Sequence, residues 1–320
     1  MARRSSDVGR HAPVLLTPFI DALCSSDACA DACYVDATFG RGGHTRALLE
    51  RLSPEGRLLG LDRDPEAILE GERLAAQDNR FTIQHRAFAD LDAALDAAGW
   101  PQVQGIGFDL GVSSPQLDDA GRGFSFSHDG PLDMRMDTAS GQPLAARLAR
   151  LSEREMVGIL RDYGNERYAG RIARAVLRAF AEGKMTRTSE LENVVFHAVP
   201  KQGRFGGAHP ATRTFQALRM WVNDEMGQLE SGIKAAMHRL LPGGRLAVIS
   251  FHSGEDRKVR DLIEAEVRPC ICPPDFPICA CGRVASMRWV QKKPIRASEQ
   301  EVAENPRSRS ALLRVAERLA

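Results

Sequence analysis

Two patterns of apolar and polar positions alternate along the first 110 residues of the chain. Short apolar runs, which are typical of buried strands, cover 34–38, 57–62, 81–85 and 103–110. The stretches between them are rich in Ala, Leu, Glu and Arg and predict helices over 45–52, 65–77 and 91–98. Strands and helices that alternate through short connections form a parallel sheet covered by helices. The pattern therefore predicts a doubly wound α/β sheet.

The alternation stops over residues 118–211, where the pattern predicts only loops and helices. Two Ser–Glu pairs in this region, Ser152 with Glu155 and Ser189 with Glu192, have the spacing of a capping box. In a capping box a hydroxyl and a carboxylate satisfy the backbone N–H groups of a helix start. We therefore expect helices to begin at these two serines.

The strand pattern returns beyond Pro210. Apolar residues recur at intervals of three and four from Phe215 to Leu240 and predict one long amphipathic helix, and 245–251 predicts a further buried strand. One α/β domain with a helical insertion accounts for this order. The predicted parts are a methyltransferase-like core with the cofactor site over 1–117, an inserted helical substrate-recognition domain over 118–212, and the rest of the core over 213–320.

A glycine-rich loop lies between the first predicted strand and the first predicted helix, in the sequence Asp36-Ala-Thr-Phe-Gly-Arg-Gly-Gly-His44. Glycines allow a sharp turn and a close approach to a ligand, and a helix start presents N–H groups. Asp62 ends the next strand, where a carboxylate commonly accepts hydrogen bonds from ribose hydroxyls. These features favour a cofactor that contains adenosine.

The same loop favours S-adenosylmethionine over a nicotinamide dinucleotide. The fingerprint G-x-G-x-x-G, if it starts at Gly40, needs a glycine where Thr45 stands. Asp36, just before the loop, suits a ligand with an ammonium group better than a pyrophosphate.

Asp109 ends the fourth predicted strand. Ligands bind at the carboxyl edge of open α/β sheets, so Asp109 would line one crevice there with Asp36 and Asp62. A single Asp after a strand often only caps the following turn. Three such carboxylates around one glycine loop favour a binding crevice.

Eight segments of the chain resemble the signature blocks of the bacterial ribosomal RNA small subunit methyltransferase H family, also called MraW. They run from His11 to Arg314 and include DATFGRGGHT, LDRDPEAI, DLGVSSPQLDD, HPATRTFQALRMWVN and ENPRSRSALLR. The resemblance implies a Rossmann-like class I methyltransferase core with an inserted helical domain. It also implies methylation of the exocyclic N4 of a cytosine in the decoding region of 16S rRNA, with S-adenosyl-L-methionine as cofactor.

The resemblance further implies roles for seven residues of the cofactor site. Gly42, Gly43 and His44 would contact the methionine part, Asp62 the ribose, Phe88 and Asp109 the adenine, and Gln116 would close the pocket.

The catalytic candidates come from the chemistry of the cytosine amine, which is a poor nucleophile and must be positioned and hydrogen-bonded. Amino-methyltransferases commonly use a polar residue followed by Pro-Pro and an aromatic residue. Here Ser113 and Ser114 precede a single proline and no aromatic residue. His252, after the last buried strand, would orient the base or accept a proton, unless it only bonds to its turn. No metal ligand is assigned to this site.

Charge is balanced overall but not along the chain. With 43 Lys and Arg against 42 Asp and Glu the formal net charge is +1, yet 161–220 carries 11 basic against 5 acidic residues and 282–320 carries 9 against 4. Arg167, Arg171, Arg174 and Arg178 repeat at helical spacing, and the loop from Arg204 to Arg213 is a second basic candidate. This asymmetry suggests a polyanionic partner, although arginines on solvated helix faces would give the same counts.

The expected partner is therefore 16S rRNA within the small ribosomal subunit. The target cytosine must be unpaired or extruded to reach a pocket. We expect no DNA or membrane partner, and a homodimer stays open.

The chain has seven cysteines, no apolar run of 18 residues and no export signal after Arg3 and Arg4, so a cytoplasmic location is expected. Two C-x-C pairs, Cys270 with Cys272 and Cys279 with Cys281, have a spacing that would suit a structural zinc ion. Whether they bind a metal is open at this point.

Two other functions stay open on sequence alone. One is a nicotinamide-dependent oxidoreductase, which Thr45 disfavours. The other is a non-catalytic factor that binds the 30S subunit during assembly and retains the cofactor pocket.

Overall fold

The structure is a computed structural model that describes residues 13–24, 30–205, 209–273 and 280–320. The chain divides into two compact units, one within Met1–Gly111 and Gln228–Ala320, the other Val112–Gly227. The second unit interrupts the first, so the inserted part starts and ends at different residues from the predicted 118–212. The roles expected for the separate parts stay predictions.

The first unit contains one sheet of eight strands, in the spatial order β3-β2-β1-β4-β5-β8-β6 with β7 paired to β8. The strands are β1 (Cys33–Asp36), β2 (Arg57–Asp62), β3 (Phe81–His85), β4 (Val103–Asp109), β5 (Leu240–Ser250), β6 (Met287–Trp289), β7 (Ile295–Arg296) and β8 (Leu312–Arg318). β1 to β5 are parallel, while β8 runs antiparallel to β5, β6 and β7. The predicted α/β class is confirmed.

Helices fill the connections between strands. In chain order they are α1 (Leu16–Leu23), α2 (Gly43–Leu49), α3 (Pro65–Ala75), α4 (Leu91–Ala98), α5 (Ser114–Asp118), α6 (Leu144–Leu148), α7 (Glu153–Asp162), α8 (Ala169–Ala181), α9 (Thr188–Ala198), α10 (Ala211–Val222), α11 (Glu225–Arg239), α12 (Ser253–Val267) and α13 (Glu299–Glu304). Among the described residues, none of these helices has both the length and the apolarity needed to cross a bilayer.

The central strands are apolar on both faces because helices cover both faces of the sheet. Tyr34, Leu58, Leu59, Ile106 and Phe108 are completely buried. Buried parallel strands appear in a sequence as continuous apolar runs, which is why these strands were predictable. β1 lies between β2 and β4, so the chain order reverses there, and the carboxyl ends of β1 and β4 flank the usual ligand crevice of such sheets.

The second unit has its own apolar core, built from side chains of α6 to α10 and the segment before them. α7 begins as predicted: the backbone N–H of Ser152 donates to Glu155 Oε2 at 2.9 Å. The predicted helix start at Ser189 is wrong, because α9 begins one residue earlier. Glu190 accepts the backbone N–H of Arg187 at 3.0 Å, and the N–H of Ser189 donates to the carboxylate of Asp129, 60 residues away in sequence.

The predicted single helix from Phe215 to Leu240 is also wrong, because the chain breaks between α10 and α11. Asn223 uses its side chain to bond backbone groups of another segment: Oδ1 accepts the N–H of Met136 at 2.8 Å and Nδ2 donates to the carbonyl of Met134 at 2.7 Å. Asp224 then takes a left-handed φ of 47°, a conformation that Asp tolerates better than most residues. These two residues end one helix before the next begins.

Candidate active site

The three predicted carboxylates end three neighbouring strands of the first unit. In the ladder, Asp36 on β1 is paired in register with Gly60 on β2 and with Gly107 on β4. Asp62 and Asp109 each lie two residues farther along those strands. The structure thus brings the three acidic strand ends to one edge of the sheet, as the sequence predicted.

The glycine loop is fastened to this edge. The backbone N–H of Gly40 donates to Asp62 Oδ2 at 2.7 Å. Gly40 and Gly42 both have left-handed φ angles, 56° and 72°, which glycine adopts without strain. A Cβ at position 42 would lie only 2.7 Å from the ring of Phe39. The loop conformation therefore requires glycine at Gly42 for both backbone and steric reasons.

Asp36 organises the start of α2 from below. Its Oδ2 accepts a hydrogen bond of 2.6 Å from the Thr45 hydroxyl, and its Oδ1 accepts the N–H of Thr38 at 3.2 Å. Burial raises the pKa of this carboxyl above its usual value. Thr45 therefore excludes the third fingerprint glycine and also anchors the loop to the sheet.

Asp62 is prepared to accept further hydrogen bonds. Its Oδ1 accepts the N–H of Asp64 at 2.9 Å while Oδ2 holds the N–H of Gly40. Burial raises the pKa of Asp62 to about 6, although these two hydrogen bonds oppose the shift. A carboxylate has about four acceptor positions, so two remain for donors from a ligand.

Asp109 has a buried carboxylate oxygen that the protein does not satisfy. Its Oδ1 is inaccessible to solvent and has no hydrogen-bond partner among the described residues. Its Oδ2 lies 3.7 Å from Nδ1 of His44, and its backbone N–H donates to the hydroxyl of Thr38 at 2.6 Å. Burial raises the pKa of Asp109 to about 6, and the charges of Asp36 and Glu255 raise it further against the effect of His44.

An unsatisfied buried acceptor costs roughly 1–3 kcal/mol, and more when it is charged. Such an atom at the switch point of the sheet points to a ligand that donates a hydrogen bond. The residues present therefore fit a ligand with an amino group and sugar hydroxyls, as adenosine has.

His44 is held on both ring nitrogens. Nε2 lies 3.0 Å from the carbonyl oxygen of Val14, and the ring centroid lies 4.5 Å from that of Phe19. A Cβ at Gly43 would come within 2.2 Å of Pro13. The segment before α1 thus packs directly on the glycine loop, a role that the sequence analysis did not predict.

Phe88 lies half-buried between β3 and α4. Its ring meets Phe108 edge-on, with centroids 5.7 Å apart, and a Cβ at Gly232 would lie 2.8 Å from it. Phe88 is thus wedged against α11. Its contact with adenine stays a prediction, as do the ligand contacts of Gly42, Gly43, His44, Asp62 and Asp109.

His252 lies after β5 and caps α12. Its Nδ1 accepts the backbone N–H of Glu255 at 3.3 Å, which places the ring proton on Nε2, 3.0 Å from Glu255 Oε1. Glu255 is 3% exposed, and its Oε2 accepts the backbone N–H of Phe251 at 3.0 Å. The turn contact allowed for His252 is thus present at Nδ1.

The sequence analysis missed Glu255 as a site residue. Its signal was the spacing His252-x-x-Glu255 directly after a buried strand, which is the spacing of a cap. Because the charge of Glu255 raises the pKa of Asp109, this buried carboxyl belongs to the same acidic edge.

Ser113, Ser114 and Gln116 belong to the second unit. Gln116 is 7% exposed, and its Oε1 accepts the backbone N–H of Ser113 at 2.9 Å, which fixes the start of α5. Both serines are half-buried. Their catalytic roles and the closing role of Gln116 stay predictions.

The predicted basic row forms one solvent-facing stripe in the second unit. Its members are Arg167, Arg171, Arg174 and Arg178, all exposed on or just before α8. Within the loop that starts at Arg204, that residue lies over the ring of Phe196 and bonds the carbonyl of Val199 at 2.8 Å. Residues 206–208 of the loop lie outside the described residues.

The model of the MraW methylase family matches residues 9–319 of this chain. The chain is also 51% identical to "Ribosomal RNA small subunit methyltransferase H" of Chromohalobacter salexigens, over 97% of this chain and 92% of that protein. It is 49% identical to the protein of the same name from Halorhodospira halophila, over 100% and 97% of the two chains. The protein of that name from Nitrosococcus oceani is 47% identical over 98% of each chain.

Proposed function

Because this chain belongs to the MraW methylase family, we propose that it methylates 16S rRNA with S-adenosylmethionine, at the exocyclic N4 of a cytosine in the decoding region. Relatives that match almost end to end carry the name of a small subunit rRNA methyltransferase. The unsatisfied Oδ1 of Asp109, at the switch point beside the glycine loop, is the structural observation that carries the cofactor part of the proposal.

The acidic edge fits the donor groups of the cofactor. Asp62 would hold the ribose hydroxyls with its two remaining acceptor positions. Asp109 Oδ1 would accept a hydrogen bond from the adenine amino group. When bound, S-adenosylmethionine supplies an electrophilic methyl group on a cationic sulfur, and the buried carboxylates of this edge favour a cation.

The residues proposed for the amine are acceptors and orienting groups. The lone pair of a cytosine amine is delocalised into the ring, so the enzyme must accept its N–H hydrogens as charge develops. The hydroxyls of Ser113 and Ser114 would serve as these acceptors. His252 would orient the base or take up the proton that the methylated amine loses, and the carboxylate beside Nε2 would stabilise the protonated ring.

The stripe on α8 would bind the RNA backbone. Arginines reward phosphates irrespective of sequence, whereas a target base is recognised where it is unstacked. Methylation at N4 requires a free Watson–Crick edge, so the cytosine must be unpaired or extruded.

Transfer of labelled methyl groups to 30S subunits and to naked 16S rRNA, both from a strain that lacks this gene, tests the proposal. Mass spectrometry of the digested rRNA should show one N4-methylated cytidine per molecule. Asp62→Ala should abolish the product, while Asp90→Asn, an exposed change in the same unit, should retain it. Methylation of another base or atom would contradict the proposed specificity.

A further inference from the structure

Three cysteines meet in the segment between α12 and β6. Cys270, Cys272 and Cys281 place their Sγ atoms within 4.8 Å of one another. Cys270 and Cys272 follow the end of α12, whereas Cys281 comes from the far side of residues 274–279, which lie outside the described residues. Among the described residues, no other set of three or more His, Cys, Asp or Glu side chains forms such a group.

We propose that these three thiolates bind a structural zinc ion. Tetrahedral zinc with bonds to sulfur of about 2.3 Å places its sulfur ligands about 3.8 Å apart, so the observed group needs only a small contraction. A disulfide joins only two sulfur atoms, at about 2.05 Å, and gives no reason for a third to be present. Three converging thiols are the ligand chemistry that zinc prefers.

The backbone around the group supports a thiolate. The N–H of Ala280 donates to Sγ of Cys272 at 3.4 Å. Hydrogen bonds from outer groups to metal ligands orient the ligands and tune their basicity. One such bond is therefore already in place next to the proposed site.

The segment also lacks another source of stability. Its large apolar side chains face solvent, with Ile271 66% and Val284 84% exposed, so no apolar core holds it. Only its end is tied down, where the N–H of Ser286 donates to the carbonyl of Glu266 at 3.0 Å. A metal cross-link from Cys270 to Cys281 would supply the missing free energy, since zinc binding by thiolates stabilises small loops directly.

Metal analysis of the full-length chain tests the site. Protein purified without a polyhistidine tag from zinc-supplemented cells should contain an equimolar amount of zinc. Replacement by cobalt should give the near-ultraviolet charge-transfer band of thiolate ligation and the visible bands of a tetrahedral site. Cys270→Ser with Cys281→Ser should lower zinc affinity by more than the roughly 10–100-fold that loss of an outer hydrogen-bonding partner costs.

Cys33→Ser is the matched control, because Cys33 is a half-buried cysteine on β1, away in sequence from the group. It should retain zinc. If the double variant folds poorly, chelation of the wild-type chain gives a second measurement: removing zinc should expose residues 268–286 to protease and release thiols that react with a thiol reagent. Absence of bound zinc with no binding on titration, or a disulfide between two of these cysteines in the reduced-cell extract, would overturn the proposal.

Discussion

Gly40 donates its backbone N–H to Oδ2 of Asp62 at 2.7 Å, so the loop after β1 is fastened to the end of β2. One carboxylate thereby shapes the loop and keeps acceptor positions for a ligand. This double role means that changes at Asp62 act on the loop and on the cofactor together.

Asp62→Ala should weaken binding of S-adenosylhomocysteine by about 10- to 150-fold. Loss of a charged hydrogen bond costs roughly 1.5–3 kcal/mol, which corresponds to that range. Isothermal titration with S-adenosylhomocysteine measures the effect. Asp62→Asn keeps one acceptor oxygen and should fall between wild type and Asp62→Ala; equal affinity for all three would contradict a role in ribose binding.

Asp109→Asn should change the pH dependence of stability. Folding raises the pKa of this carboxyl to about 6, so the folded chain binds its proton more tightly than the unfolded chain between about pH 4 and 6. The free energy of unfolding of the ligand-free chain should therefore fall as pH rises through this window.

At pH 7 the variant should be more stable than wild type by on the order of 2 kcal/mol, and the difference should vanish near pH 4. Urea denaturation at a series of pH values measures this, with Asp90→Asn as the control for the substitution itself. Parallel curves for wild type and Asp109→Asn would show that the carboxylate is already satisfied in solution.

Gly42→Ala should destabilise the first unit more than Gly99→Ala does. The two glycines have nearly the same left-handed φ, 72° and 73°, which costs an alanine about 1–2 kcal/mol at either site. Only at Gly42 would the new methyl group also strike a ring, that of Phe39, whereas nothing lies within 4 Å at Gly99.

Chemical denaturation separates the two costs, because the shared backbone strain cancels in the difference. Cofactor binding should fall for Gly42→Ala and stay unchanged for Gly99→Ala. Equal effects of both variants on stability and on binding would argue against a fixed loop conformation at Gly42.

Arg171→Ala combined with Arg178→Ala should weaken binding of 16S rRNA and make it less dependent on salt. Each lost phosphate contact lowers the slope of log K against log[salt] by about 0.7–0.9. Filter binding at several salt concentrations should therefore show a slope smaller by about 1.5–2. Arg73→Ala with Arg260→Ala, two exposed arginines of the first unit, should leave the slope unchanged.

The buried strands and the acidic edge were predictable because their signals are local. A parallel strand covered on both faces must be apolar along its length, as in Leu58 to Leu61, and a carboxylate at its end is visible directly. β2 and β3 accordingly have the predicted bounds.

The features that were missed depend on contacts between distant parts of the chain. The break at Asn223 arises from hydrogen bonds to Met134 and Met136, and the apolar spacing resumes in phase beyond it. The start of α9 is set by Asp129, which no local pattern connects to Ser189. The packing of Pro13 on Gly43 is likewise invisible before the chain folds.

The pairing of β4 with β5 has a consequence for the growing chain on the ribosome. All of Val112–Gly227 is synthesised after β4 and before its partner strand, so the edge of β4 waits unpaired during that time. An open strand edge invites pairing with other chains, whereas the inserted helices depend mainly on near neighbours. Synthesis order thus favours early folding of the insertion and leaves the sheet that flanks the cofactor crevice to be completed last.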